Sequence, residues 1–217
     1  MAFNDKIVAE IVDRVMAELG GESNSNDDKT VPVGVSNRHI HLSTADVETL
    51  FGAGYQLTPL KDLSQPGQFA CKETLTIVGP SLRPIENVRV LGPVRKASQV
   101  EISRTDSFTL KVKPPVRESG DISGSAPVTI IGPKGVVTLK EGCIIANRHI
   151  HMSTDEGAKF GLCDGQYVDV EVEGERRTKF YDVQIRVHKD FRLEMHIDTD
   201  DANAAGIGNG AKVKIVK

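Results

Sequence analysis

The polar and apolar positions of residues 1–22 follow the period of a helix. Apolar side chains recur every three or four residues from Ile7 to Leu19, and charged side chains fill the opposite face. Gly20-Gly21 suits the C-terminal end of such a helix. Acidic residues interrupt the apolar positions, which excludes a secretory signal. The pattern therefore predicts an amphipathic helix over residues 1–22.

The next stretch, residues 23–30, is almost entirely polar and contains several Ser, Asn and Asp residues. Such a composition cannot bury enough surface to become ordered, so it predicts a flexible linker. A helix of about 15 residues is only marginally stable alone, and its apolar stripe must therefore dock somewhere. The two alternatives are the body of this protein and another protein.

From Val31 onward the pattern changes to short alternating strands separated by turns that contain Gly and Pro. Many short strands at regular spacing are typical of β-barrels or sandwiches. We expect a mainly β fold with short capping helices. The segment from Pro114 to Pro127, which is rich in Gly, Ser and Pro, is the expected joint between two halves.

An internal repeat indicates that the two halves are related. The segment Ser36–Thr44 contains Asn-Arg-His-Ile-His, and the same residues return 110 positions later in Asn147–Thr154. A short predicted helix and a Phe-Gly pair follow each copy. The repeat predicts two β-barrels, over residues 31–120 and 121–217, with an exchange of strands between them left open.

Each His-x-His pair can direct two imidazoles at one cation. Side chains two apart on a strand share a face and lie roughly 7 Å apart along the chain, whereas on a helix they would point about 200° apart. Two copies predict two metal sites, or one site built from both halves. The alternative is a repeated strand whose histidines only form hydrogen bonds.

Glu101 and His196 could complete these sites, because each lies on the polar face of a predicted strand. Imidazole and carboxylate ligands together suit zinc. Arginine and lysine side chains concentrate in one short region and favour a phosphorylated substrate, although scattered surface charges would give the same pattern. These residues are Arg83, Arg89, Arg95 and Lys96.

Composition excludes several other classes of protein. The 217 residues carry a net charge of −3, so a generally basic nucleic-acid surface is not expected. No apolar run approaches the ~18 residues of a membrane span. The three cysteines have no Cys-x-x-Cys spacing and are expected to be reduced thiols in a cytosolic compartment.

Five segments together resemble the PduL-type phosphate propanoyltransferases, the phosphotransacylases of bacterial microcompartments. The segments are Val35–Ser43, Leu91–Arg95, Gln99–Asp106, Asn147–Ser153 and Leu193–Asp200. The resemblance extends from about Val31 to the C-terminus. It implies two β-barrels, a dinuclear zinc centre, and the interconversion of acyl-CoA plus phosphate with acyl phosphate plus CoA. The acyl group would be propanoyl, with acetyl as a second substrate.

The resemblance also implies roles for particular residues. Arg95 would be the catalytic residue that binds phosphate, and whether Glu101 bridges the two zinc ions is open. The turn after Gly79-Pro80 departs from the Lys-Gly common in the family, which leaves the role of Arg83 in CoA binding open. The implied zinc ligands, two ions per chain, are His39, His41 and Glu101 for one ion and His149, His151 and His196 for the other. The implied CoA contacts are Val35, Ser36, Asn37, Arg89 and Asn203.

Helices on tethers act as encapsulation peptides in that family. The resemblance therefore implies that the helix over residues 1–22 docks on shell or cargo proteins, and that the enzyme works in the lumen of a cytoplasmic microcompartment. We expect a homo-oligomer with no nucleic-acid or membrane partner. Two alternatives remain: a dinuclear zinc hydrolase, and a non-catalytic shell or scaffold protein that contains zinc.

Overall fold

The computed structural model describes residues 30–216, and the predicted helix over residues 1–22 lies outside this range together with residues 23–29 of the predicted linker. Within the described range the fold is mainly β with four short helices, as predicted. The helices are α1 (Thr44–Phe51), α2 (Arg104–Leu110), α3 (Thr154–Phe160) and α4 (Thr199–Ala205). The strands are β1 (Thr30–Ser36), β2 (His39–Ser43), β3 (Pro59–Asp62), β4 (Phe69–Val78), β5 (Pro84–Arg95), β6 (Gln99–Glu101), β7 (Val116–Arg117), β8 (Ala126–Ile131), β9 (Val136–Ala146), β10 (His149–Met152), β11 (Tyr167–Val172), β12 (Thr178–Val187), β13 (Glu194–Asp198) and β14 (Lys212–Val216).

The strands form two six-stranded barrels, which confirms that part of the prediction. The first barrel has the order β4-β5-β2-β6-β9-β8 and closes because β8 pairs with both β9 and β4. Strands β3 and β7 extend it at β4 and β9. The second barrel is closed in the order β1-β13-β10-β12-β11-β14. Each ring of strands encloses its own cluster of buried apolar side chains.

The strands do not divide between the barrels at residue 120, where the sequence suggested a boundary. Strand β1 precedes the first histidine pair in the chain but lies in the second barrel, where Val33 is in register with Met195. Strands β8 and β9 follow residue 120 but belong to the first barrel. Alternation shows which side chains of a strand are apolar, but it does not show which barrel will bury them. The exchange of strands left open by the sequence is therefore present.

The two histidine strands have equivalent surroundings. Strand β2 pairs parallel with β5 and antiparallel with β6, and β10 pairs parallel with β12 and antiparallel with β13. The isoleucine between each histidine pair, Ile40 or Ile150, is fully buried in the core of its barrel. Burying such a side chain stabilises a fold by about 1.5–3 kcal/mol. The core thus fixes the face of the strand on which the histidines lie.

The helices that follow the histidine strands end at the Phe-Gly pairs, as the sequence predicts. Ser43 caps α1 and Ser153 caps α3, where the glycine at residue 161 adopts a φ of 65° at the C-terminal end. Helices α2 and α4 were not predicted individually, although Ser103 forms a capping box at α2 and Asp198 caps α4. Each of the four helices therefore begins directly after a strand that approaches the pocket described below. None of the helices within residues 30–216 is long and apolar enough to cross a membrane.

Candidate active site

The two histidine pairs line one pocket of about 200 Å³. The first barrel contributes the pair on β2, and the second barrel contributes the pair on β10. Two groups of side chains in this pocket could each hold a metal ion: His39, His41 and Glu101 in one group, and His149, His151 and His196 in the other. These are the six ligands implied by the resemblance, and the structure brings them together as two sets of three.

The first cluster comprises His39, His41 and Glu101. His39 and Glu101 are direct partners across the antiparallel strands β2 and β6. The Nε2 atom of His39 lies 3.3 Å from one carboxylate oxygen of Glu101, and the Nε2 atom of His41 lies 3.8 Å from the other. The Nδ1 atom of His39 is 2.8 Å from the backbone oxygen of Asn37. Because a carbonyl only accepts, Nδ1 carries the proton and Nε2 has a free lone pair.

The second cluster comprises His149, His151 and His196 and has the same framework with a different third side chain. His149 and His196 are partners across the antiparallel strands β10 and β13, in the way that His39 faces Glu101. The Nε2 atoms of His149 and His151 are 3.0 Å apart. The Nδ1 atom of His149 is 2.8 Å from the backbone oxygen of Asn147, which again leaves Nε2 free.

Burial and the interaction between Glu101 and the histidines both shift pKa values in the two clusters. Burial alone would raise the pKa of Glu101, but its ion pair and hydrogen bond with His39, together with smaller contributions from His41 and the hydroxyl of Ser119, hold that pKa well below its ordinary value. The same carboxylate raises the pKa of His39 against the effect of burial. Burial lowers the pKa of His41 to about 3, that of His149 to about 4 and that of His151 to about 2. Neutral imidazole and ionised carboxylate are the forms that bind metal ions.

The arginine of each repeated motif is a structural anchor. Arg38 forms two contacts with the carboxylate of Asp106, at 2.8 and 2.7 Å, and Asp106 belongs to the capping box of α2. Arg148 lies 3.4 Å from Asp201 in the first turn of α4. Each histidine strand is thereby anchored to a helix. That helix comes directly after the strand that carries the third candidate ligand of the same cluster. Neither repeated motif indicates this role in its local sequence.

Arg95 lies beside the first cluster and lines the pocket. Its guanidinium donates a hydrogen bond of 3.0 Å to the hydroxyl of Ser119, and that hydroxyl donates one of 2.6 Å to Glu101. Burial lowers the pKa of Arg95, Glu101 opposes this effect and Arg186 adds to it. Ser119 therefore orients both a candidate ligand and the candidate phosphate-binding side chain. It was not recognised in the sequence, where its segment indicated only a joint.

The segment that contains Ser119 also contacts the second barrel. Glu118 accepts a hydrogen bond of 2.5 Å from the side-chain amide of Gln184 on β12. On the other side, the backbone N–H of Gly120 donates to Gln99 at 2.8 Å, and Gln99 donates to Glu101 at 2.6 Å. Residues 118–120 thus connect the surroundings of the two clusters.

His196 has a carboxylate partner on its own strand. The Nε2 atom of His196 lies 2.7 Å from the carboxylate of Glu194, which also accepts a short hydrogen bond from Ser64. The acidic residues that follow in the chain, Asp198 and Asp200, do not take this role. Instead, Asp198 caps α4 and Asp200 accepts a hydrogen bond from the backbone N–H of Thr105.

The five candidate CoA contacts have different positions. Ser36 and Asn37 line the pocket, whereas Val35, Arg89 and Asn203 are not among its lining residues. The guanidinium of Arg89 donates to the backbone oxygens of Cys71 and Lys72, at 3.0 and 2.8 Å. Val35 and Asn203 lie on β1 and α4, and Arg83 is exposed in the turn before β5. Arg186 and Phe191 also line the pocket and were not candidates.

Comparison with known proteins identifies the family. Residues 32–208 match the family described as phosphate propanoyltransferase. A phosphate propanoyltransferase of Lachnoclostridium phytofermentans is 62% identical over 86% of this chain and 87% of its own length. One of Thermotoga maritima is 60% identical over 85% of this chain and 88% of its own length. One of Clostridioides difficile is 47% identical over 98% of this chain and 99% of its own length. The chain therefore belongs to the phosphate propanoyltransferases, which are acyltransferases.

Proposed function

We propose that this chain interconverts propanoyl-CoA plus phosphate with propanoyl phosphate plus CoA in the pocket between its two clusters, and that acetyl-CoA serves as a shorter substrate. The observation that carries the proposal is that one set of three candidate ligands from each barrel lines the same pocket as Arg95. A thioester and a phosphate can then meet beside a side chain that binds anions.

The donor atoms fit zinc, and we propose one ion at each cluster. His39, His41 and Glu101 would hold one ion, and the three histidines of the second cluster would hold the other. The backbone oxygens of Asn37 and Asn147 fix the orientation of the two leading imidazoles. Zinc, when bound, supplies Lewis-acid stabilisation of negative charge on the sulfur and oxygen atoms of the substrates.

Arg95 binds and orients phosphate in this proposal. A guanidinium fork can donate to two phosphate oxygens at once, which neutralises charge on the attacking group and fixes its direction. The same positive charge stabilises the oxyanion that develops as phosphate adds to the carbonyl carbon. Ser119, which accepts from Arg95 and donates to Glu101, holds the fork in place before the substrate arrives.

The reaction requires no acyl-enzyme intermediate. A phosphate oxygen attacks the thioester carbonyl carbon, a C–O bond forms, the C–S bond breaks, and the sulfur departs as the thiolate of CoA. The cysteines are unsuited to act as nucleophiles, because burial raises the pKa of Cys71 to about 11 and that of Cys143 to about 12. Cys163 is exposed and does not line the pocket. Direct transfer is the simplest route that these residues support.

CoA would enter along the end of β1. Ser36 and Asn37 line the pocket there, and we propose that they bind CoA together with Val35, Arg89 and Asn203. Arg89 would have to leave the backbone oxygens of Cys71 and Lys72 to reach a CoA phosphate.

The test is release of free CoA from propanoyl-CoA with and without phosphate, followed with a thiol reagent. Phosphate-dependent release with formation of propanoyl phosphate supports the proposal. Release that does not need phosphate would identify a hydrolase, in which water takes the place of phosphate. No release by zinc-loaded protein under either condition would favour a scaffold role. Each result therefore identifies one of the three candidate functions.

We further propose that the predicted helix over residues 1–22 docks on shell or cargo proteins of a bacterial microcompartment, and that the chain forms a homo-oligomer. Seven apolar side chains make up the stripe of this helix. Deletion of residues 1–22 should leave turnover unchanged and make the protein more soluble, since exposed apolar stripes drive self-association. If the deletion variant has a much lower melting temperature, the helix is instead part of the core.

A further inference from the structure

Arg186 is a charged residue of the second barrel that lines the pocket. It lies on β12, the parallel neighbour of β10, in register with His151. Its neighbour Ile185 is fully buried in the barrel core, so Arg186 lies on the opposite face of the strand. On that face it is half-buried and lines the same pocket as both clusters.

Arg95 comes from the corresponding strand of the first barrel but lies further along it, since His41 is in register with Leu91. It lies at the end of β5, the parallel neighbour of β2, and is in register with Ser43 just after His41. Each barrel therefore contributes one arginine from the strand that runs parallel to its histidine pair. The two guanidiniums belong to different barrels and line one pocket. This duplication parallels that of the histidine pairs.

The charge of Arg186 is unpaired in the part of the chain that the structure describes. Within residues 30–216 its side chain has neither an ion pair nor a hydrogen bond. Burial is the main cause of the lowered pKa values of Arg95, His149 and His151, and the positive charge of Arg186, which lines the same pocket, adds to it. A half-buried cation without a counter-ion is unfavourable, and an anion bound between the two arginines would relieve the repulsion.

We propose that Arg186 is a second phosphate-binding residue, which holds the phosphate from the second barrel while Arg95 holds it from the first. The inference rests on the proposed function, because it takes phosphate as the group that enters this pocket. Phosphate at neutral pH carries between one and two negative charges on four oxygens, enough acceptors for two guanidinium forks. Holding it from two sides leaves one oxygen oriented towards the thioester carbon.

Steady-state kinetics of Arg186→Gln test this role. The substitution removes the charge and the fork, so the KM for phosphate should rise roughly 10- to 100-fold, and the KM for propanoyl-CoA should change less than about two-fold. Arg186→Lys, which keeps the charge, should lie between wild type and Arg186→Gln. Arg177→Gln is the matched control, because Arg177 directly precedes β12 and its side chain is 73% exposed.

A rise in the KM for CoA substrates without a change in that for phosphate would overturn the proposal, since Arg186 would then serve a phosphate group of CoA. Kinetics like those of wild type would overturn it as well. If Arg186→Gln does not fold, Arg186→Lys decides by the same measurements.

Calorimetric titration of inorganic phosphate into zinc-loaded protein gives a second readout that does not depend on turnover. The Kd for phosphate should be roughly ten-fold or more weaker in Arg186→Gln than in wild type and unchanged in Arg177→Gln. Equal Kd values in wild type and Arg186→Gln would refute the role of Arg186. If wild-type protein releases no CoA, the proposed function fails, and the comparison of Kd values still decides whether Arg186 binds phosphate.

Discussion

The two clusters have the same framework but differ in charge. In each, a His-x-His strand faces an antiparallel neighbour that provides the third ligand in register with the first histidine. That third ligand is the carboxylate of Glu101 in one barrel and the imidazole of His196 in the other. A divalent cation would keep one positive charge at the first cluster and two at the second. The second cluster should therefore attract an anionic substrate more strongly.

The surroundings of the two third ligands also differ. Glu101 is buried and receives hydrogen bonds of 2.6 Å from both Gln99 and Ser119. His196 is half-buried, and its carboxylate partner Glu194 also contacts Ser64 from the first barrel. The first cluster is thus fixed by a closed network, whereas the second is more open. This difference suggests that the first cluster holds its ion rigidly and that the second is the side open to the substrate.

Removing the carboxylate should have the largest effect. Glu101→Gln keeps the shape but takes away the only charged ligand of the first cluster, so we expect loss of one metal ion and a fall in turnover of roughly 10²- to 10³-fold. Elemental analysis and the CoA-release assay measure both quantities. Glu173→Gln is the control, because Glu173 is 69% exposed and does not line the pocket. Retention of both ions with normal turnover would show that the clusters do not differ in the way described.

Replacing Arg95 should leave both clusters intact and still slow the reaction. Arg95→Lys keeps a positive charge but loses the planar fork, so turnover should fall roughly 10²-fold or more. Metal content and thermal stability should hardly change. Equal activity of the lysine variant would mean that another group handles phosphate, and Arg186 would be the first to examine.

The sequence predicted the elements that depend on local patterns. The repeated His-x-His pairs alternate with buried isoleucines, so their strands and shared faces could be inferred, and α1 and α3 have a serine cap and a terminal glycine. Helix α2 was missed, although Ser103 and Asp106 have the spacing of a capping box. That signal directly follows a strand pattern, which obscured it.

The missed features of the site depend on contacts between distant parts of the chain. Arg38 and Asp106 are 68 residues apart, and nothing in either segment indicates that they meet. Ser119 lies in a Gly- and Ser-rich segment whose composition predicts a joint but not a hydrogen bond to Glu101. The exchange of β1 into the second barrel was left open for the same reason, since alternation does not identify a partner.

Ser119 offers a smaller perturbation of the first cluster. Ser119→Ala removes hydrogen bonds to Arg95 and Glu101, both charged, and should lower kcat/KM for phosphate roughly ten-fold with both metal ions retained. Most of the change should appear in the KM for phosphate, because Arg95 loses its orientation. Ser119→Thr restores the hydroxyl and should recover most of the loss. If Ser119→Ala lowers stability alone, with kinetics unchanged, Ser119 has only a structural role.

The smallest effect is expected in the pH dependence of the metal-free protein. The folded state lowers the pKa of His151 to about 2, from an ordinary value near 6.5. Below about pH 6.5 the unfolded chain binds a proton that the folded chain does not, so stability falls as the pH is lowered. We expect this residue to lower the free energy of unfolding by roughly 2–3 kcal/mol between pH 6.5 and 4.5.

His151→Asn should reduce the acid slope, which is the fall in the free energy of unfolding as the pH is lowered. Chemical unfolding at several pH values measures this slope. The raised pKa of His39 has the opposite sign: its contribution is present below the ordinary pKa and disappears as the pH rises through the folded value. A variant His39→Asn should therefore not flatten the acid slope. Identical slopes for wild type and His151→Asn would contradict the assignment of a neutral, buried second cluster.

The most direct measurement is stepwise return of zinc to metal-stripped protein, with phosphate-dependent release of CoA followed at each step. The account predicts that stripped protein is inactive and that full turnover needs about two ions per chain, one for each cluster. Glu101→Gln should bind only about one ion and remain slow at saturation. Full turnover by stripped protein, or full recovery with a single ion per chain, would contradict the claim that the two barrels build one active site from two metal clusters.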